Sequence, residues 1–236
     1  MSDAGADRVF SWREAVPVFS DWLERAIDPR PGRGARTWKA RLATGGGTSL
    51  ALPVVALPDE PDPRDPRAFA SALRDSLGLE LVLLVQAGAF AAGLYLENEL
   101  VAHRVRRRYV VRGRGRAQPT YLDRKGKSRY GSRLRLRNAR RLIDDLRACL
   151  AAWSGDHGAP DRVYLSCPVR LRAEISAARP PVPLDPRRTL AVPFAVRRPA
   201  FEELGRIRWL LCHGRVVVTP AGGCGTAAEG FTNDPG

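Results

Sequence analysis

Cysteine is scarce in this chain of 236 residues: Cys149, Cys167, Cys212 and Cys224 are all there are, and no two form a CxxC pair. A dense disulfide framework is therefore excluded, and the thiols fit a reduced compartment. Cys167, Cys212, His213 and Cys224 do not follow the spacing of a zinc site. Lysine is nearly missing, with only Lys39, Lys125 and Lys127 among 39 basic residues. Long apolar runs are missing too. Leu81–Leu96 carries no charge, but its 16 residues include Gln86, Gly88 and Gly93, too short and too broken to cross a bilayer. The opening MSDAGADRVF has no basic stretch followed by an apolar one, so no secretory signal is expected. The sequence also contains no GxSxG elbow, no Walker A loop, no HExxH and no dinucleotide fingerprint. These absences give the expectation of a cytoplasmic monomer with no metal, no cofactor and no membrane contact.

What the chain does have is arginine, and its charge is unevenly placed. The formal net charge is +14. Between Arg104 and Arg147 stand fifteen Arg and two Lys against only Asp123, Asp144 and Asp145, so this one segment holds the whole excess. Such a concentration of one sign points to a local polyanion contact rather than a generally basic protein.

The pattern along the chain predicts three parts. Residues 1–78 read as an N-terminal α/β unit. Pro17 opens a helix in which Val18, Phe19, Trp22, Leu23 and Ala26 recur at helical spacing. Thr37–Ala43 and Thr48–Val55 flank Gly45, Gly46 and Gly47 as a hairpin. A proline-rich connector spans 58–66, and a short helix ends with Gly78 as its cap. Residues 79–218 read as the second domain. Leu81–Val85 and Phe90–Leu96 form a buried hairpin, and Leu100–Val111 follows as a strand with a wet, basic face. Ser132 opens a long helix whose stripe runs through Leu136, Ala139, Leu142, Ile143, Leu146, Cys149, Leu150 and Trp153. A strand over Arg162–Cys167, another over Leu190–Phe194, a helix after Pro199 and a strand over Arg215–Thr219 complete it. Residues 219–236 read as a flexible tail. The five tryptophans are expected in the core. The fold class is α/β (α+β), a mixed β-sheet flanked by helices with a smaller N-terminal α/β unit.

The chemistry concentrates between the basic strand and the long helix. Arg112–Gly131 reads RGRGRAQPTYLDRKGKSRYG, with almost no aliphatic residue, and cannot build a core. A phosphate-cradling turn at Gly113–Ala117 would have to lead directly into a helix, and Pro119 and Asp123 intervene. Arg112, Arg114, Arg124, Lys125, Lys127 and Arg129 can neutralise RNA phosphates, and Arg133, Arg137, Arg140 and Arg141 extend that track along the helix. Arginine rather than lysine suits planar, stackable contacts with RNA. A solvated helix face or a nonspecific RNA patch is the plainer alternative.

The ordered set of strand, basic glycine loop with one glutamine, and arginine helix, RRRYVVRGRGRAQPTYLDRKGKSRYGSRLRLRNARRLIDDL, resembles the central Gly-Gly-Gln domain of eukaryotic and archaeal class-I peptide-chain release factors. It is more similar to the release-factor-like peptidyl-tRNA hydrolase domain of the ribosome-associated quality-control branch, which has a longer polar loop after the glutamine. RRPAFEELGRIRWLLCHGRVVV (Arg197–Val218) and the hairpin from Leu79 resemble the same branch. The resemblance implies that Gln118 is the catalytic glutamine and that Gly113, Gly115, Arg116, Ala117 and Pro119 shape its loop. Arg116 and Ala117 stand where release factors have two glycines, a departure that bears on the loop's conformation. It also implies a fold like the release-factor central domain, codon-independent hydrolysis of peptidyl-tRNA, and contact with the large ribosomal subunit and its rRNA. A glutamine that admits one water and supplies a neutral donor suits ester hydrolysis in that setting. A docking factor without catalysis and a tRNA acceptor-end nuclease are the alternatives.

Overall fold

A computed structural model describes residues 7–60, 62–108, 127–180 and 182–221, with the backbone alone at 33 and at 127–136. The chain divides into two units. Unit 1 holds the N-terminal part to Leu77 together with the chain from Arg206 onward, and unit 2 holds Gly78–Gly205.

Unit 1 is built on a five-stranded antiparallel sheet in the order β1 (Arg8–Ser11), β10 (His213–Thr219), β4 (Gly47–Ala51), β3 (Thr37–Leu42), β2 (Ala26–Pro31). β4 alternates buried and half-buried residues, as a strand with one covered face must. Its buried set is Thr48 and Leu50, and the same core holds Phe19 and Trp22 of helix α1 (Ala15–Arg25) and Phe69 of the short α2 (Pro66–Ser71), all buried. The rings interlock: Phe19 lies 5.1 Å from Trp38 and 5.8 Å, edge-on, from Phe69. The two indoles find partners, Trp22 Nε1 donating to Thr48 Oγ1 at 3.0 Å and Trp38 Nε1 to the Ala35 carbonyl at 2.9 Å.

Unit 2 is built on a second five-stranded sheet, ordered β7 (Glu99–Arg107), β6 (Ala89–Leu96), β5 (Leu79–Gln86), β8 (Arg162–Ser166), β9 (Thr189–Ala191). β5 pairs antiparallel with β6 and parallel with β8, so the sheet is mixed. Val82, Leu83 and Leu84 are all fully buried, which requires cover on both faces and explains the unbroken apolar run Leu81–Val85 within β5. Glu97 and Asn98 join β6 to β7 with positive φ at both positions, the two-residue turn whose twist matches a hairpin. On one face, Leu83, Val85, Phe90 and Leu94 pack against Leu142, Leu146 and Leu150 of α3 (Lys127–His157) and Ile175 of α4 (Val169–Ser176).

The mixed α/β class is as the sequence predicts. Several elements differ. The last strand, expected with 79–218, pairs with β1 and β4 in the unit 1 sheet, because Val216 and Val218 find their neighbours at Leu50 and Thr48. α2 ends at Ser71, so Gly78 caps no helix; it takes φ +63 beside Asp161, whose carboxylate accepts from Leu79 N at 2.8 Å. α3 begins at Lys127 rather than Ser132, running through Gly131. α4 was not anticipated. Trp209, expected in the core, is half exposed. Among the described residues no helix is long and apolar enough to cross a membrane, and no three His, Cys, Asp or Glu side chains gather to hold a metal ion.

Candidate RNA-facing edge

β7 is an edge strand of the unit 2 sheet, and its sequence suits that place. Most of its residues are exposed, and its charges discourage pairing with another chain. Its register decides which side each arginine takes. Arg104 lies opposite Ala92 and Arg106 opposite Phe90, residues of the face that α3 covers. Paired residues share a face, so Arg104 and Arg106 stand on the α3 side of the edge. His103 and Val105, opposite Gly93 and Ala91, stand on the other side, where the His103 ring lies 4.7 Å from Phe201, the first residue of α5 (Phe201–Cys212).

The strand ends in a clamp. Arg108 N donates to the Gly88 carbonyl at 2.7 Å, which holds the backbone to the β5–β6 turn. Its guanidinium donates to Asp145 of α3, Nε to Oδ2 at 2.8 Å with a second nitrogen at 2.6 Å from the same oxygen. Both side chains are about two-thirds buried, so solvent screens this pair less than an ordinary surface pair. The clamp ties Arg108, the last described residue before the basic stretch, to α3. Cys149, one turn after Asp145, lies along the same side of α3. Burial pushes its thiol pKa up, against the pull of Arg104 and Arg106.

The two acids of this part of α3 are spent on local partners. Asp145 holds Arg108, and Asp144 lies 3.4 Å from Arg147. Arg137, Arg140 and Arg141 are exposed, and they and Arg104, Arg106 and Arg107 have no ion pair among the described residues. Helical spacing puts Arg137 and Arg141 on the side of Asp145 and Arg140 on the side of Asp144. The outcome is a stripe of cations along the β7 edge and the adjoining flank of α3, which suits contact with a phosphate backbone.

Of the residues singled out from sequence, Arg137 and Arg141 therefore lie on this surface, and Arg140 lies on the next side of the helix with Asp144. Lys127, Arg129 and Arg133 lie on α3 by their backbone. Gln118, its neighbours Gly113, Gly115, Arg116, Ala117 and Pro119, and Arg112, Arg114, Arg124 and Lys125 lie outside the described residues. Arg104, Arg106 and the Arg108–Asp145 clamp were not among the predicted site residues. Alternation along the strand could have placed the first two; nothing in the sequence pairs the last.

Comparison with known proteins bears on the same region. Residues 80–218 match the model of the family described as Bacteroidetes VLRF1 release factor. The tRNA endonuclease ANKZF1 of Mus musculus is 35% identical over 132 residues, and that of Homo sapiens 33% over 132 residues. Each match covers 54% of this chain and 18% of the relative, so the chain spans about a fifth of the length of these curated proteins. A solved structure titled Vms1 mitochondrial localization core aligns over 84% of this chain and 80% of its own, at 15% identity and a TM-score of 0.46. The family match over 80–218 defines a release-factor-like domain. The chain belongs to the Bacteroidetes VLRF1 release factor family.

Proposed function

We propose that this protein is a codon-independent peptidyl-tRNA hydrolase that frees nascent chains from stalled or split large ribosomal subunits. The observation that carries the reading is the family match over 80–218, which spans the basic edge, the loop and the arginine helix together. In this reading the cations of β7 and α3 neutralise rRNA and tRNA phosphates and set position. The Arg108–Asp145 clamp fixes the root of the loop. Gln118 then orients a water against the ester carbonyl carbon and offers a neutral donor to the oxyanion that forms. The acyl–oxygen bond breaks, the tRNA ribose hydroxyl leaves with a proton, and the peptide departs as an acid. No protein nucleophile is required.

A second reading has a specific observation behind it: the mammalian relatives are named tRNA endonucleases. That reaction would break a phosphorus–oxygen bond near the acceptor end and leave the peptide joined to a tRNA fragment. One experiment separates the two. Labelled peptidyl-tRNA on isolated large subunits is incubated with the wild type and with Gln118→Ala, and peptide and tRNA are resolved separately. Free peptide with intact tRNA, produced by the wild type only, supports the hydrolase. Peptide held on a short 3′ nucleotide fragment, with the rest of the tRNA shortened and free of peptide, supports the nuclease. Neither product, with both proteins still bound to the subunit, leaves a docking factor.

A further inference from the structure

Unit 1 has a surface that the proposed chemistry does not use. The inward side of its sheet carries Phe10, Trp38 and Leu50, all fully buried. On the outward side no described residue of these strands is fully buried: Lys39, Arg41 and Thr219 are exposed, and Ser49, His213 and Val217 are half-buried. On β10 this side holds His213, Arg215 and Val217, and pairing carries it across the sheet in rows. Val217 is opposite Ser49, and Ser49 is opposite Lys39; Thr219 is opposite Gly47, and Gly47 is opposite Arg41. Paired residues share a face, so His213, Lys39 and Arg41 all stand on the open side.

At one end of this face is an exposed aromatic stack. The rings of Trp209 and His213 lie 4.4 Å apart and within 18° of parallel. Trp209 is 50% exposed, so much of its indole faces water. The Trp209 carbonyl can only accept, so the 2.8 Å contact from His213 Nδ1 places the ring proton there and fixes the imidazole beneath the indole. A tryptophan held in one orientation with a wet ring face is a preformed place for a base to stack. At the other end are Lys39 and Arg41, exposed and with no ion pair among the described residues. The other cations here are already engaged, Arg215 with Asp7 and Arg30 with Asp28. Between the two ends lie Val217, Ser49 and the Arg215–Asp7 pair, and the small Gly47 stands beside Arg41. From the stack to Lys39 is two strand spacings across and four residues along, roughly 17 Å, a span of several nucleotides.

We infer that this open face is a platform for single-stranded RNA, with a base on the Trp209–His213 stack and phosphates on Lys39 and Arg41. The choice of RNA rests on the release-factor reading; the platform itself rests on the stack and the unpaired cations. A second copy of this chain is a poorer occupant, because pairing the face with itself would bring like charges together.

The test is binding of a fluorescent uridine-rich oligonucleotide of about twelve residues to the full chain, by anisotropy over a range of salt. It is done in the wild type and in an Arg137→Glu, Arg141→Glu background that removes the contribution of α3. Trp209→Leu is expected to weaken binding about tenfold in both, and Trp209→Phe to restore most of it. Lys39→Glu with Arg41→Glu is expected to weaken binding and to flatten the log–log salt slope by about 1.4 for two lost phosphate contacts. Affinities within twofold of wild type for Trp209→Leu, or equal losses for Leu and Phe, overturn the stack. If Trp209→Leu does not fold, an unchanged salt slope in the lysine–arginine variant overturns the platform on its own. A change of oligomeric state in place of RNA affinity would assign the face to a second copy. Loss of release in Gln118→Ala with oligonucleotide affinity indifferent to Trp209 would sink the platform and leave the hydrolase standing, and the reverse result would do the opposite.

Discussion

The two units each rest on a five-stranded sheet, yet the sheets are written in different sequence languages. In unit 2, β5 and β6 have almost every side chain buried; LELVLLVQ holds the unbroken apolar run Leu81–Val85, with Glu80 buried before it, and AFAAGLYL carries no polar side chain but the Tyr95 hydroxyl. In unit 1, β4 and β3 bury alternate residues, and GTSLA and TWKARL mix polar and apolar positions. Cover on two faces makes a strand insensitive to which way each residue points. Cover on one face makes parity decisive, so a slip of one residue would turn Trp38 and Leu50 to water. The sheet covered twice serves as the rigid base of the candidate site, and the sheet covered once keeps a face free for something else.

The largest test of that contrast is a core truncation set against an outward one. Phe90 is fully buried in the cluster beneath α3. Phe90→Ala should destabilise by about 3–5 kcal/mol, read from urea unfolding of the full chain. Ser49→Ala on the open face should change stability by less than about 0.5 kcal/mol. A cost above 1 kcal/mol at Ser49 would mean that the open face is covered, and the contrast would fail.

How much of this was readable beforehand follows from the same difference. Leu81–Leu96 announced its hairpin because burial on both faces leaves an apolar run, and the hairpin around Gly45, Gly46 and Gly47 announced its turn. The partner of the last strand was not readable. β10 lies beside β1, from the far end of the chain, and a strand's own pattern names no neighbour. β1 itself, RVFS, is too short to carry a period. The sequence predicts the start of α3 at Ser132, just after Gly131, and the helix instead runs through that glycine from Lys127. A tryptophan is expected in the core, but Trp209 is half exposed because the other side of α5 supplies the buried residues Leu204, Ile207 and Leu211. For the site, the arginines of α3 were legible from charge and period. The Arg108–Asp145 clamp was not, since Asp145 in sequence is only one acid among many bases.

A mid-sized effect probes how tightly the open sheet is packed on its covered side. A Cβ at Gly214 would come within 2.4 Å of Phe10 Cζ and 2.6 Å of the Ala51 carbonyl oxygen. The second atom is backbone in the neighbouring strand and cannot swing aside. Gly214→Ala is therefore expected to cost about 1–3 kcal/mol and to lower the thermal midpoint. Unit 1 would respond to it as strongly as unit 2 does to a core mutation if its one packed face is as dense as the two of unit 2.

The clamp tests whether the rigid sheet matters to function beyond stability. Asp145→Asn leaves the shape and removes the charge facing Arg108. Stability should fall by about 1 kcal/mol or less, as for a partly buried pair. Release from stalled subunits should fall by more than stability predicts, because the loop loses a fixed root. Exchanging the two as Arg108→Asp with Asp145→Arg should recover part of that loss. If release tracks stability alone across the two variants, the clamp is structural and nothing more.

The smallest expected effect is chemical and sharpens the view of α4 as a cover. Cys167 stands between β8 and α4, and burial pushes its thiol pKa up to about 11, with Arg172 pulling down and Glu174 adding to the rise. Alkylation proceeds through the thiolate, so at pH 8 Cys167 should react roughly a hundredfold more slowly than an ordinary thiol. The sign for stability follows from which state holds the proton. The fold keeps Cys167 protonated where the unfolded chain has already lost its proton, so this contribution is intact below about pH 9 and declines as pH rises toward 11. Alkylation rates measured from pH 7 to 10 by peptide mapping would check it. Variants that loosen α4, such as Ile175→Ala beneath it, should speed Cys167 and leave Cys212, which is buried in unit 1, unchanged. If both thiols accelerate together, the variant has opened the whole chain rather than the cover of one sheet, and the two sheets are not independently protected.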